Sequence, residues 1–231
     1  VSSAASDVYK RQTFDGLRPD RLVVVVGTRT EVGKTWVAAR LLRDLRTSGL
    51  TVAARKPVQS FDADDPLTDA HHLADASGEA PTDVCPRHRW YPLAMAPPMA
   101  ADALARPAFS IEDLVSEIQW PLPAPEVAFV ESVGGVRSPM ASNGDAVALV
   151  EILQPDVVLL VADAGLGTIN DVTLSLDAID RGAHVATPVV VLNRFDPADD
   201  LHQRNRAWLD GHLDVDVLTS VSSVLARISP R

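Results

Sequence analysis

Gly27 to Thr35 reads Gly-Thr-Arg-Thr-Glu-Val-Gly-Lys-Thr, a loop that ends on Gly33-Lys34-Thr35. Each residue type at that end suits a bound anion. Gly33 lets the backbone approach closely, Lys34 can reach the β- and γ-phosphates of a nucleotide, and the Thr35 hydroxyl can ligate Mg²⁺. The usual spacing, Gly-x-x-x-x-Gly-Lys-Ser/Thr, puts its first glycine at position 28; Thr28 stands there, and Gly27 lies one residue earlier. The run is therefore a variant, and an ordinary strand-to-helix turn can carry Gly-Lys-Thr by chance. Context favours the phosphate loop, because the apolar Leu22–Val26 precedes it and the amphipathic Lys34–Thr47 follows. Strand, loop and helix in that order aim the loop and first-turn amides at one point, where the helix dipole adds roughly half a positive charge.

Other polar residues fall at the ends of predicted strands. Lys56 follows Thr51–Arg55, Glu131 ends Val127–Val130 and precedes Gly134-Gly135, and Asn193 ends Val189–Leu192. Singly, each has an ordinary explanation: a solvated loop lysine, a strand-end charge, a turn-forming asparagine. Together they share the carboxyl edge of a parallel sheet, where such sheets bind ligands, and they predict one site beside the phosphate loop. Mg·ATP needs oxygen ligands besides Thr35, and Glu131 stands where one is expected, with Asp163 after Val157–Val161 as a rival. Asp62, Asp64, Asp65 and Asp69 cluster after Lys56, and most of them read as a solvated acidic loop. Lysine is scarce, since Lys10, Lys34 and Lys56 are the only ones among 21 basic residues, which singles out the two beside the loop.

The elements that must hold these residues alternate along the chain. Short β-branched runs interleave with amphipathic stretches: after Thr51–Arg55 come Val127–Val130, Val157–Val161, a helix over Asp171–Asp180 stopped by Gly182, Val189–Leu192, and a helix over Asp199–Leu209. Continuous apolar strands between helices predict an α/β fold, a parallel sheet with helices on both faces. Val37, Leu41, Leu42 and Leu45 repeat at helical spacing before Gly49, and Ser110 with Asp113 forms a capping box ahead of Leu114, Val115 and Ile118. The proline-rich span Pro81–Pro107 and the Pro121–Pro125 run are expected to be loops or short insertions. Residues 1–20 are read as a disordered or non-native extension, and 21–231 as a single folded domain.

Composition narrows the field. With 231 residues, 46% hydrophobic and 23% charged, the chain has the make-up of one folded domain. Its formal charge of -10 disfavours a general attraction to nucleic acid or anionic membrane, so an anion must be held locally. The longest aliphatic runs, Leu22–Val26 and Val157–Ala162, fall far short of the ~20 residues of a spanning helix. Cys85 is the lone cysteine, no leader is recognisable, and a cytoplasmic protein is expected. His71-His72 is an adjacent pair, more a polar helix face than a metal pair; Cys85-Pro86 lacks a general base. Trp36, Trp90, Trp120 and Trp208 are expected to pack in the core or at its edge.

Five segments carry a family resemblance. GTRTEVGKT, RKPVQS (Arg55–Ser60), VESVGG (Val130–Gly135), GLGTIN (Gly165–Asn170) and VLNRFDP (Val191–Pro197) follow the order and spacing of dethiobiotin synthetases. The chain resembles that family over roughly residues 21 to 215. The resemblance implies a P-loop NTPase-like single domain and an ATP-dependent cyclo-ligase of biotin biosynthesis. Such an enzyme carboxylates 7,8-diaminononanoate with CO₂ and closes the carbamate, through a carbamoyl-phosphate mixed anhydride, to dethiobiotin, ADP and phosphate. By the resemblance, Lys34, Lys56, Thr30 and Ser60 do the chemistry, and Glu31, Val32, Gly33, Lys34, Thr35 and Asn193 bind ATP. Thr35, Asp69 and Glu131 would hold Mg²⁺. Ser60, Gly134 and the Gly167, Thr168, Ile169, Asn170 turn would bind the diamine, the turn being supplied by a homodimer partner.

Glu131-Ser132-Val133-Gly134-Gly135 stands where the family has Glu-Gly-x-Gly-Gly, Phe61 where it has glycine, and Thr219–Ser222 where it has Gly-x-x-Pro. Two other readings remain open. One is a partitioning-type P-loop ATPase switch, with Arg29 where those proteins carry a signature lysine, although the Gly-Gly that follows it there is Thr30-Glu31 here. The other is an amidoligase-like relative acting on another substrate.

Overall fold

The computed structural model describes residues 18–182 and 188–229. Of the expected N-terminal extension, residues 1–17 lie outside the described residues; Pro19 is buried, and the Asp20 N–H donates to Pro125 O. Strands β1 (Arg21–Gly27), β2 (Val52–Arg55), β5 (Val127–Glu131), β6 (Val157–Asp163), β7 (Val189–Asn193) and β8 (Val217–Leu218) form one sheet in the order β2-β5-β1-β6-β7-β8. Every pairing is parallel. Between β2 and β5 lie the two-residue strands β3 (Gln59–Ser60) and β4 (Trp90–Tyr91), paired with each other.

Why this sheet forms is visible in β1, where Leu22 through Val26 are all fully buried. Leu22, Val24 and Val26 face one apolar cluster; Val23 and Val25 face a second. The second is covered by α1 (Lys34–Thr47), α2 (Asp69–Ser77) and α9 (Val221–Ile228), which supply Leu41, Leu42, Leu45, Leu73, Val224 and Ile228. The first is covered from the other side by α4 (Pro97–Ala103), α5 (Ile111–Ser116), α6 (Ala146–Leu153), α7 (Thr168–Gly182) and α8 (Asp200–His212). Strands buried on both faces need no polar alternation, which explains the unbroken valine runs. No helix among the described residues is long and apolar enough to cross a membrane.

The α/β expectation holds, and so do several boundaries. Helix α1 spans the predicted Lys34–Thr47 and ends toward Gly49, whose φ of +90° suits glycine. The Ser110–Asp113 capping box opens α5. Strands β5, β6 and β7 run on to include Glu131, Asp163 and Asn193, so these polar residues are fixed by the ladder itself.

Three expectations are corrected. The Pro81–Pro107 span contains α3 (Pro81–Val84), a 3₁₀ turn over Arg87–Arg89, β4 and α4, because prolines at the first turns of α3 and α4 start helices rather than forbid them. Helix α7 begins at Thr168, three residues before Asp171, and the chain just beyond Gly182 lies outside the described residues. Trp36 is 58% exposed and Trp208 38% exposed, so only Trp90 is a buried tryptophan, with Trp120 partly buried.

One cap carries a clear energetic expectation. Asp145 Oδ1 accepts from the Val147 and Ala148 amides at the start of α6, at 2.9 and 3.1 Å, while Oδ2 pairs with Arg137 at 3.0 Å. Asp145→Ala strips both, and should lower unfolding free energy by about 1–2 kcal/mol in urea denaturation; an unchanged midpoint would show that the cap contributes nothing.

Candidate active site

The phosphate loop leaves β1 at Gly27 and enters α1 at Lys34. Gly27 serves as the first glycine of the motif despite its shift by one position: a Cβ there would lie 2.9 Å from Lys34 Cδ and 3.1 Å from Arg29 O. Gly33 has a φ of +92°, and a Cβ on it would meet Asn193 Nδ2 at 2.1 Å. At Gly33 the backbone conformation itself favours glycine, and at Gly27 a side chain would crowd Lys34 and the loop.

Behind the loop, five predicted residues meet. Lys34 Nζ donates to Gly134 O at 2.8 Å and to Arg29 O at 3.4 Å. The Thr35 hydroxyl lies 2.9 Å from Asp69 Oδ1 and 2.8 Å from Glu131 Oε1. Lys56 Nζ reaches Glu131 Oε1 at 2.6 Å, Asp69 Oδ2 at 2.8 Å and Ser132 O at 2.9 Å. Lys56 and Glu131 are essentially unexposed, at 1% and 0%. Three elements position them: Glu131 is the last residue of β5, Lys56 follows β2, and Asp69 opens α2, whose cap residue Thr68 gives its N–H to His71 Nδ1.

Residues 21–229 match the family described as an AAA domain. The ATP-dependent dethiobiotin synthetase BioD of Caulobacter vibrioides (strain NA1000 / CB15N) is 40% identical over 186 residues, covering 78% of this chain and 82% of that protein. The protein of the same name from Anaeromyxobacter sp. (strain K) is 38% identical over 183 residues, with 78% and 79% covered. The chain belongs to the dethiobiotin synthetase family. A third relative of that name, from Haloferax mediterranei, is 37% identical and covers 88% of this chain and 84% of its own length. Among solved structures, the hydrogenase maturation factor HypB from Archaeoglobus fulgidus aligns over 97% of both chains with a TM-score of 0.54 at 11% identity, a likeness of fold alone. Membership makes the chain an ATP-dependent ligase.

Other residues expected to act in this dethiobiotin synthetase family member stand farther out. Glu31 and Val32 lie in the loop, Glu31 with a φ of +63°, and Asn193 Nδ2 donates to Val32 O at 2.8 Å. Thr30 Oγ1 is 3.7 Å from where a Cβ on Gly134 would sit. Ser60 is directed elsewhere, its hydroxyl donating to Met95 O at 2.6 Å. Gly167, Thr168, Ile169 and Asn170 form the start of α7; Thr168 Oγ1 donates to Asp163 O at 2.5 Å, and no hydrogen bond among the described residues joins this turn to the lysines. Asp163 is not a rival for the Thr35 site, since it pairs with Arg194 at 2.9 Å and accepts from Gly165 N at 2.9 Å.

Two contributors, Arg194 and Ser132, were not among the predicted residues, and Gly134 was expected to bind the diamine rather than to hold a lysine. Arg194 ties Asp163 to Glu31 O (3.0 Å), and its place directly after the strand-end Asn193 was the available signal. The carbonyls of Ser132 and Gly134 hold the two lysines, and a main-chain oxygen leaves no trace in residue type.

Charge is finely set in this cluster. Burial, with the like charge of Lys56, pushes the Lys34 ammonium down to about 8 against the pull of Glu131 and Asp69. Burial would do the same to Lys56, but Asp69 and Glu131 outweigh it and raise that ammonium. Burial, helped by Asp69, raises the Glu131 carboxyl despite Lys56; at Asp69, 42% exposed, the lysine outweighs burial and lowers the carboxyl. Thr35, Asp69 and Glu131 present oxygen donors alone, and Glu131 Oε2 is buried without a partner, a set that suits a hard divalent cation.

Lys34 yields a pH expectation. Its folded-state value of about 8 lies below the ordinary 10.5, so holding it charged costs stability below pH 8, and that cost is relieved as pH rises from 8 toward 10.5. A polyanion in the loop restores the charged form. Titrating ATP near pH 8 should therefore take up roughly half a proton, seen as binding heat that varies with buffer ionisation enthalpy. Heat independent of buffer would mean that Lys34 is already fully charged.

Proposed function

We propose that this enzyme converts 7,8-diaminononanoate, CO₂ and ATP into dethiobiotin, ADP and phosphate. One amine adds to CO₂ and loses a proton to give a carbamate. A carbamate oxygen attacks the γ-phosphorus and ADP leaves. The second amine then attacks the carbonyl of the mixed anhydride, expelling phosphate and closing the cyclic urea. The reading is supported above all by one observation: two lysine ammonium groups, from separate elements, lie in one cluster with Thr35, Asp69 and Glu131 behind the phosphate loop. Carbamate and γ-phosphate are both anionic, and fixed cations between them stabilise the charge that develops on transfer.

In this reading the loop amides of Glu31 to Thr35 cradle the phosphates, Lys34 neutralises the transferring group, and Lys56, on exchanging one of its three present partners, bridges it to the carbamate. Thr30 and Ser60 donate to the carbamate oxygens, Ser60 after releasing Met95 O. Asn193 keeps its amide oxygen for the amino edge of adenine, one amide proton being given to Val32. Thr35, Asp69 and Glu131 would hold Mg²⁺, which when bound neutralises charge on the β- and γ-phosphate oxygens. Asp69 and Glu131 are the two carboxylates of that set, and among the described residues no group of three or more His, Cys, Asp or Glu is placed to hold a metal ion. The Gly167–Asn170 amides at the start of α7, with Gly134, would receive the diamine chain and its carboxylate across a homodimer interface. The reading places the enzyme in the cytoplasm.

Incubation with Mg·ATP, bicarbonate and 7,8-diaminononanoate should yield dethiobiotin by mass spectrometry. Lys56→Ala should cut that yield by at least about a hundredfold while nucleotide affinity stays within about threefold. ATP turnover indifferent to the diamine would instead favour the switch. Sedimentation at working concentration should show a dimer, and a monomer active at full rate would rule out the shared substrate site.

A further inference from the structure

The two site lysines are aimed by one short stretch of main chain. Directly after β5, Ser132 O accepts from Lys56 and, two residues on, Gly134 O accepts from Lys34, at 2.9 and 2.8 Å. Carbonyls two apart on a single backbone fix the spacing of the two ammonium groups only if that backbone is itself fixed. Its upstream end is, because the Ser132 N–H donates to Val25 O of the central strand at 3.0 Å. Its downstream end leaves the sheet, and there Gly134 takes a φ of +59°.

What holds that end is Ser138. Its Oγ accepts from Gly135 N at 2.9 Å, and its own N–H donates to Gly135 O at 2.9 Å, closing a turn on itself. The side chain fills the space beside Gly134 so closely that a Cβ on that glycine would lie 2.4 Å from Ser138 Oγ and 2.6 Å from Ser138 Cβ. On the other side, a Cβ on Gly135 would lie 2.8 Å from Thr28 O, so the turn is pressed between Ser138 and the phosphate loop. Apart from Lys34 itself, the Ser138 hydroxyl is the one side-chain group among the described residues that bonds the Gly134-Gly135 backbone.

We propose that Ser138 is a positioning residue for phosphoryl transfer, acting through the Gly134-Gly135 backbone to set where Lys34 stands relative to Lys56. It touches neither lysine and no reacting atom. Without the hydroxyl, Gly135 N–H loses its acceptor, the left-handed Gly134 is free to rotate its peptide, and the carbonyl that restrains Lys34 swings with it. Ground-state nucleotide binding, carried by the loop amides, is left nearly intact, whereas transfer depends on where the ammonium sits.

The inference rests on the ring-closing reading for its substrate but not for its geometry, and the test separates the two. Ser138→Ala, Ser138→Cys and Ser138→Thr are compared with the unaltered chain for dethiobiotin formation, ATP turnover, nucleotide Kd and thermal midpoint. Ser138→Ala and Ser138→Cys should lower kcat by about tenfold to a hundredfold with nucleotide Kd within about threefold, and Ser138→Thr, which keeps the hydroxyl, should restore kcat to within about threefold. If Ser138→Ala does not fold, Ser138→Cys against Ser138→Thr gives the same contrast. A kcat within about twofold of normal in the hydroxyl-free variants, equal losses in kcat, Kd and melting, or failure of Ser138→Thr to restore the rate would each overturn the proposal. An unaltered chain that turns over ATP but makes no dethiobiotin overturns the ring-closing reading instead, and the Ser138 comparison is then decided on ATP turnover.

Discussion

The buried pair of Lys56 and Glu131 is the constraint around which the rest is arranged. Taking an ammonium and a carboxylate out of water costs several kcal/mol each, and their attraction repays it only when the remaining donors and acceptors are met. Lys56 meets that condition, its three protons going to Glu131, Asp69 and the Ser132 carbonyl. Glu131 meets it only in part, since Oε2 has no partner. An apolar pair of the same volume would serve the fold as well or better, so stability alone does not account for the pair. Lys34 differs, with two carbonyl acceptors for three protons and an ammonium that burial has brought near the physiological range. One cation is saturated by the protein, and the other is left able to meet an incoming anion.

The sheet explains how such a cluster can be built at all. With β1 flanked by β5 and β6, the phosphate loop, the Glu131 end and the Asp163 end emerge side by side at the carboxyl edge. The register sets Val25 opposite Glu131, so the carboxylate is carried by the central ladder rather than by a loop. Around it, short polar ties join otherwise separate turns: Asn193 to Val32, Arg194 to Glu31 and Asp163, and Arg137 from the loop after β5 to Asp145 at the start of α6. Of the four described non-glycine residues with positive φ, two, Glu31 and Arg194, are the two ends of one such tie.

Much of this could be read from residue order, for reasons that also mark where reading stopped. The valine runs, the 34–47 helix and the residues closing β5 and β7 were legible because period, caps and strand ends are local properties. Lys56 and Glu131 stood out as charges in places where a parallel sheet gathers ligands. Neither the preference for Glu131 over Asp163 nor the part of Asp69 is local: Asp69 reaches Thr35 because Thr68 caps α2 beside α1, while Asp163 is claimed by an arginine from the turn after β7. Residues 81–107 read as loop because prolines that start helices look the same in a string as prolines that end them. Trp36 read as core because apolar bulk suggests burial, yet it follows Thr35 on the solvent side of the first helical turn. The carbonyls of Ser132 and Gly134 could not be read at all, since every residue has one.

How an acidic chain holds a polyanion follows from counting charges in the cluster. Lys34 and Lys56 are matched by Asp69 and Glu131, so the cluster is close to neutral, and the whole chain carries a formal charge of -10. Attraction must therefore come from oriented backbone: the amides of the phosphate loop and the first turn of α1, directed at one point by a loop that turns on Gly27 and Gly33. Backbone dipoles bind without adding net charge, so they cannot alone neutralise a triphosphate. A neutral cluster of oxygens and ammonium groups is balanced for an anion that arrives already paired with a cation, and that balance accounts for carboxylates standing so close to a site that must hold phosphate.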